Sequence, residues 1–175
     1  MHEIRIGNLD GVIDLRHDLV QWRQYPWRPL NQIKYLVVHH SAVAWDSTAL
    51  TIHNYHRDVL GWPGIGYHFL VHQTGVIEYV GDVMQMRYNV ANRNHEVVGV
   101  CLPGDFTNEP PSPPQLVSAH HILANLQWAL GWFVSIVGHK EIALPDYATA
   151  CPGNTWSQWA PILKKGLEHN GQTPN

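Results

Sequence analysis

The sequence predicts a mixed α/β domain: a central β-sheet, mixed in strand direction, flanked by helices. Three observations carry this expectation. Residues 35–40 and 97–102 are short apolar runs rich in β-branched side chains, which suit a buried strand. Residues 115–130 repeat apolar positions at helical spacing. Strand-like and helix-like signals alternate from Ile33 onward, as they do when helices cover a sheet.

Each element follows from its residues. The run Tyr35-Leu36-Val37-Val38 ends abruptly in His39 and His40. A helix is expected over 47–60 with Asp46 as its N-cap, closed by the turn Gly61-Trp62-Pro63-Gly64. Strands are expected at 66–72 and 76–79, joined by Gln73-Thr74-Gly75 as a hairpin, and a further strand at 97–102. Between 108 and 114 the prolines make a stiff linker, because each removes an amide donor and fixes φ. Leu116, Ala119, Leu123, Leu126 and Leu130 then form one apolar stripe that should face the sheet. Residues 133–137 read as a short strand that delivers His139, and Cys151-Pro152-Gly153 turns the chain into a final helix at 156–167. Residues 4–29 mix charges with Trp22 and Trp27 and give no clear element.

A chain of 175 residues with 45% hydrophobic and 14% charged residues fits one compact domain. The formal net charge of −3 argues against nucleic acid as a partner, since phosphate binding relies on clustered basic side chains. Residues 1–7 carry no apolar core of a signal peptide, and no run approaches the length of a membrane span. No unaided secretory route is therefore expected.

Two distant segments carry the chemistry. His39 at the end of a strand, His139 after another, and Cys151 in a loop supply two imidazoles and a thiol, which can fill three corners of a zinc tetrahedron and leave the fourth for water. A structural zinc site needs four ligands, usually in tight pairs, and the two cysteines of this chain form no CxxC pair. With 13 histidines present, no single one is strong evidence. The constellation is what counts.

The segments YLVVHHSA (35–42), GWPGIGYHFLV (61–71), GVCLPGDF (99–106), GHKEI (138–142) and TACPG (149–153) resemble, in order, the zinc-dependent N-acetylmuramoyl-L-alanine amidases. That family includes phage lysozyme-type amidases and the peptidoglycan recognition proteins. The resemblance spans 33–167 and implies the family's single-domain fold, with Zn²⁺ as cofactor and peptidoglycan as substrate and partner. It makes His39, His139 and Cys151 the zinc ligands and Tyr67 the tyrosine that faces the metal-bound water and the scissile carbonyl. Thr149 stands where phage-type members carry a lysine and recognition-protein amidases a threonine, so both Tyr67 and Thr149 are expected in catalysis. Substrate contacts are expected from His40, Trp45, His68, Asn89 and Asn94, although relatives often place a histidine where this chain has Asn89. Trp62 joins Trp45 as a candidate wall of the cleft.

By that resemblance the bond cut joins the lactyl group of N-acetylmuramic acid to L-alanine of the stem peptide, and zinc lowers the pKa of its bound water from about 15.7 toward about 7. A hydroxyl donor such as Tyr67 would stabilise the charge that develops on the carbonyl oxygen. Some bacterial members carry a glutamate base on a central strand. Here the matching position is Cys101, a poor proton acceptor expected to be structural. Proton traffic then falls to the zinc-bound hydroxide, to Tyr67 or to a neighbouring histidine.

Other readings stand beside this one. His40 can point to the opposite strand face from His39, since successive side chains alternate. Tyr67 can be a core tyrosine with a satisfied hydroxyl, and His56 and His68 are open between groove and structure. A non-catalytic module that grips peptidoglycan is the main alternative, but such relatives typically lack a zinc ligand, often the cysteine. A third reading makes Cys151 a nucleophile with His139 as its base. The expected organisation is an N-terminal extension (1–32) packed on the domain, a catalytic domain (33–170) and a tail (171–175), acting as a monomer.

Overall fold

The computed structural model describes residues 11–43, 47–130 and 134–167. Six strands form one sheet: β1 (Val12–Asp14), β2 (Tyr35–His40), β3 (Phe69–Val71), β4 (Ile77–Tyr79), β5 (Val97–Leu102) and β6 (Ser135–Gly138), in the order β1-β4-β3-β5-β2-β6. Only β3 and β4 pair antiparallel; the other pairings run parallel. The sheet is therefore mixed, as expected, and β2 and β5 occupy exactly the predicted spans. Lying inside the sheet, both are almost wholly buried, which explains their near-continuous apolar sequences.

Alternation along these strands divides the molecule into two faces. Leu36 and Val38 of β2 and Val98, Val100 and Leu102 of β5 face the main core. Helix α2 (Pro113–Leu130) lays Leu116, Ala119, Ile122, Leu123, Leu126 and Leu130 on that face, which includes every residue of the predicted stripe. Helix α4 (Trp156–Lys164) packs beside it through Trp156, Trp159 and Leu163. On the other face Val37 belongs to a small cluster with Val97, and Cys101 to another with Ile52, Ile65 and Leu70. Helix α1 (Ala49–Asn54) covers this second face and continues as a π-helical turn over Tyr55–Val59.

Several boundaries differ from the sequence expectation for definable reasons. Thr48 caps α1, its Oγ1 accepting from the Thr51 N–H at 3.2 Å, a role hydroxyl side chains fill well; Asp46 lies outside the described residues. β3 is shorter than 66–72 because side chains, not a neighbouring strand, satisfy Gly66. Its N–H donates to His56 Nδ1 at 3.0 Å and its carbonyl accepts from Asn89 Nδ2 at 2.9 Å. β6 begins at Ser135 and runs to Gly138, while residues 131–133 lie outside the description. α4 stops at Lys164, with one turn closed by Leu167 N–H to the Lys164 carbonyl.

The least readable part of the sequence joins the same sheet. Val12, Ile13 and Asp14 pair with Ile77, Glu78 and Tyr79 as a parallel edge strand, and Trp27 bridges to Gln85. Tyr25 is fully buried, donating to the Gly64 carbonyl at 2.7 Å. A three-residue strand leaves no periodicity to find.

Leu123 is fully buried between α2 and the sheet, and truncating such a side chain removes its transfer free energy and leaves a cavity. Leu123→Ala is expected to lower unfolding stability by about 2–5 kcal/mol in urea melts. A loss below about 0.5 kcal/mol, typical of surface positions, would contradict the packing described.

Candidate active site

Parallel pairing brings the candidate ligands together. In the β2–β5 register His39 stands beside Cys101, and in the β2–β6 register Val38 stands beside Gly138, so His139 leaves β6 at the level of His39. His139 opens the four-residue helix α3 (His139–Ile142). The rings of His39 and His139 lie 4.7 Å apart between centroids, and His39 Nδ1 is 3.6 Å from Cys151 Sγ. Candidate ligand atoms of His39, His139 and Cys151 all lie within 4.8 Å of one another.

The loop that carries Cys151 is clamped on several sides. Lys140 donates its backbone N–H to the Cys151 carbonyl at 2.8 Å and its Nζ to the Gly153 carbonyl at 2.9 Å. Thr149 Oγ1 accepts from the Cys151 N–H at 3.1 Å, and the His40 N–H points at Cys151 Sγ at 3.4 Å. Gly153 adopts φ +112°, and a Cβ there would meet the Phe106 carbonyl oxygen at 2.4 Å. Only glycine turns the chain here without strain.

The donor set fits zinc. Bonds of about 2.05 Å to nitrogen and about 2.3 Å to sulfur, set at a tetrahedral angle, separate the two atoms by about 3.6 Å, which is the His39–Cys151 distance observed. Burial and the neighbouring His139 hold the His39 imidazole well below its usual range, and burial holds His139 down to about 4. Both rings are therefore neutral at pH 7, the form that ligates metal. Burial pushes the Cys151 thiol up to about 12, against the opposing influence of the His40 amide and Lys140. A metal must displace that proton on binding.

Two cavities flank the cluster. One, about 290 Å³, is lined by Ser41, Thr51, Ile52, Tyr55, His56 and Tyr67. The other, about 540 Å³, is lined by Trp62, Tyr88, Asn89, Asn94, His139 and Tyr147. Tyr67 sits just ahead of β3 with its ring 5.2 Å from that of His39. Burial, with Cys101 and Cys151 nearby, pushes its phenol well above the usual tyrosine value. It therefore keeps its proton; the hydroxyl is hydrogen-bonded to the Cys101 side chain and must turn from that partner to donate to a substrate.

The other sequence candidates fall in different places. His68 is completely buried; Gly99 N–H donates to its Nδ1 at 2.9 Å, so its Nε2 carries the proton and donates to the Gln85 carbonyl at 3.0 Å. It braces β3 against β5 and cannot reach a substrate, which corrects the expected contact. His40 takes the second of its two expected placements, on the opposite strand face from His39. Alternation along β2 turns its ring to the α2–α4 face, beside Phe106 and 4.0 Å from Asp105 Oδ1. Asn94 lines the larger cavity, but its Oδ1 is taken by the N–H groups of Asn89 and Val90, each at 2.9 Å. Asn89 lines the same cavity and holds His39 Nε2 at 3.2 Å. Trp45 lies outside the described residues, while Trp62 does line the cleft. Cys101 is fully buried and its thiol is pushed well above its usual value, in keeping with a structural role.

Sequence reasoning missed Thr51, Tyr55, Tyr88 and Tyr147 as cavity lining and Lys140 as the loop clamp. Thr51 and Tyr55 lie one turn apart on the helical segment formed by α1 and its continuation, a spacing the sequence offers, whereas Tyr88 and Tyr147 come from unconnected segments. Lys140 carried a usable signal, since it directly follows a ligand candidate.

The histidines outside the ligand set make stability pH-dependent. Burial holds His56 down to about 4 and His68 well below its usual range, while unfolded imidazoles titrate near about 6.5. Between those values the unfolded chain binds more protons, so stability falls as pH drops. Thermal melts of metal-free protein should show this contribution fully present above about pH 6.5 and progressively lost towards pH 4. A melting temperature that stays flat across that window would contradict the assigned protonation states.

Comparison with known proteins places this geometry in context. The family described as N-acetylmuramoyl-L-alanine amidase matches residues 29–154. The chain is 27% identical over 148 residues to peptidoglycan-recognition protein SC1a of Drosophila melanogaster, covering 74% of this chain and 77% of that protein. It is 29% identical over 115 residues to the endolysin of Escherichia phage T7, covering 62% and 71%. The solved structure of the Ph2119 endolysin from Thermus scotoductus MAT2119 bacteriophage Ph2119 superposes with a TM-score of 0.75 at 27% identity, over 86% of this chain and 97% of that one.

Proposed function

Because the chain belongs to the N-acetylmuramoyl-L-alanine amidase family, we propose that it is a zinc-dependent hydrolase that cuts the amide between N-acetylmuramic acid and L-alanine in peptidoglycan. The observation that carries this reading is the convergence of His39, His139 and Cys151 within 4.8 Å, with a protonated tyrosine beside them and a cavity on either side. Zinc held by these three residues would supply a Lewis acid for the carbonyl oxygen and a water made acidic enough to act as nucleophile near pH 7.

The chain's own groups account for the remaining tasks. Tyr67, kept protonated by burial, donates to the carbonyl oxygen as negative charge develops there. Thr149 uses its oxygen to accept from the Cys151 N–H, which leaves its own hydroxyl proton for a substrate contact. His56 accepts the Gly66 N–H at Nδ1, so its Nε2 carries a proton on the Tyr67 side of the groove, where a polar group of the substrate can accept it. Trp62, Tyr88 and Tyr147 give the other arm of the groove flat apolar walls with polar tips, suited to sugar rings and peptide backbone alike.

A thiol mechanism is disfavoured by the same electrostatics. A cysteine nucleophile works as a thiolate with a depressed pKa, whereas burial pushes Cys151 up to about 12 and holds His139 down to about 4. The recognition-only alternative is weakened by the presence of the full ligand set.

Purified protein incubated with peptidoglycan should release stem peptides beginning at L-alanine, identified by mass spectrometry. A chelator should abolish release and added zinc restore it. Binding to peptidoglycan with no cleavage by the zinc-loaded protein would point instead to a recognition module. Tyr67→Phe should lower kcat about 10²- to 10³-fold with zinc content unchanged; a rate within about twofold of wild type would remove Tyr67 from the role of oxyanion donor.

A further inference from the structure

Asn89 occupies a position the metal reading does not explain. Its Nδ2 donates to two backbone carbonyls, Gly66 at 2.9 Å and Arg87 at 3.0 Å. Carbonyl oxygens only accept, so the NH₂ side of the amide must face them and Oδ1 must face His39. Oδ1 lies 3.2 Å from His39 Nε2 and likewise only accepts. His39 Nε2 must therefore carry the ring proton, which leaves the lone pair on Nδ1. Nδ1 is the nitrogen 3.6 Å from Cys151 Sγ.

Independent features hold the amide in this pose. Asn94 Oδ1 accepts from the backbone N–H groups of Asn89 and Val90, both at 2.9 Å, and so fixes the segment from which the side chain springs. Across the sheet, β5 carries glycine at position 99, where a Cβ would stand 2.8 Å from Asn89 Cγ and Oδ1. The strand thus leaves room for the carboxamide next to the ligand histidine.

We infer that Asn89 is a positioning residue that fixes the Nε2–H tautomer and the ring orientation of His39, presenting Nδ1 to the metal. The inference rests on the metal site proposed above. Metal-bound histidines commonly donate their other ring N–H to a carboxylate, carbonyl or water, and loss of that partner costs about 10- to 100-fold in metal affinity. Here a side-chain amide fills that place. Unlike a carboxylate, it adds no charge to the groove.

The tautomer can be read without any variant or metal. Long-range ¹H–¹⁵N spectra of the metal-free wild type, with the His39 ring assigned by comparison with His39→Gln, should show Nε2 protonated; an Nδ1-protonated ring would overturn the inference. Zinc affinity, measured by competition with a chromogenic chelator, should fall about 10- to 100-fold in Asn89→Leu. Asn89→Asp keeps an oxygen facing Nε2 and should bind zinc about fivefold or more tighter than Asn89→Leu. Equal weakening in both variants would mark a merely structural residue. If wild type takes up zinc and Asn89→Leu matches it within twofold, the inference fails alone. A wild type that takes up no zinc overturns the metal reading and this inference with it.

Discussion

The parallel pairing of β2 with β5 and β6 is the constraint on which the rest of the molecule depends. It sets His39 beside Cys101 and brings the end of β6 to the same level, so two histidines distant in sequence become neighbours on one face. The opposite face of the same strands packs against α2 and α4. Side-chain alternation ties the two together: a register slip of one residue would turn His39 into the core and His40 into the groove. Packing thereby determines which of the two adjacent imidazoles can ligate.

Burial does the electrostatic preparation. His39 and His139 are kept neutral by desolvation, and Tyr67 is kept protonated by it. The same low-polarity surroundings that disfavour charge in the metal-free protein strengthen the interaction of a cation with its ligands and with a developing oxyanion. Charge is scarce around the cluster. Asn89 and the backbone amide of His40 supply orientation through dipoles, and Lys140 spends its ammonium on the Gly153 carbonyl.

Much of this was legible in the sequence where local pattern and long-range structure coincide. The runs at 35–40 and 97–102 are buried on both faces and so advertise themselves as strands. The leucine stripe of α2 does the same for a helix. His39 and His139 stand out in the sequence because they close or directly follow strand-like runs, and Cys151 because it opens a Cys-Pro-Gly turn; the fold brings the three within 4.8 Å. What escaped detection depends on contacts between distant residues. β1 is an edge strand too short for any period, and β3 is trimmed because His56 accepts the Gly66 N–H and Asn89 donates to the Gly66 carbonyl. His68 looks like a site residue in sequence, yet serves as a buried strut between Gly99 and Gln85. Asn89 lines the larger cavity, while its hold on His39 follows only from the positions of two carbonyls it also bonds.

X-ray absorption at the zinc edge of the loaded protein addresses the proposed centre most directly. Ligation by His39, His139 and Cys151 requires a single sulfur at about 2.3 Å, with the remaining neighbours nitrogen or oxygen at about 2.0–2.1 Å. Two sulfurs in that shell would mean that Cys101, the register partner of His39, has joined the site. A shell without sulfur would mean that Cys151 does not hold the metal at all, and either result would contradict the ligand set derived from this fold.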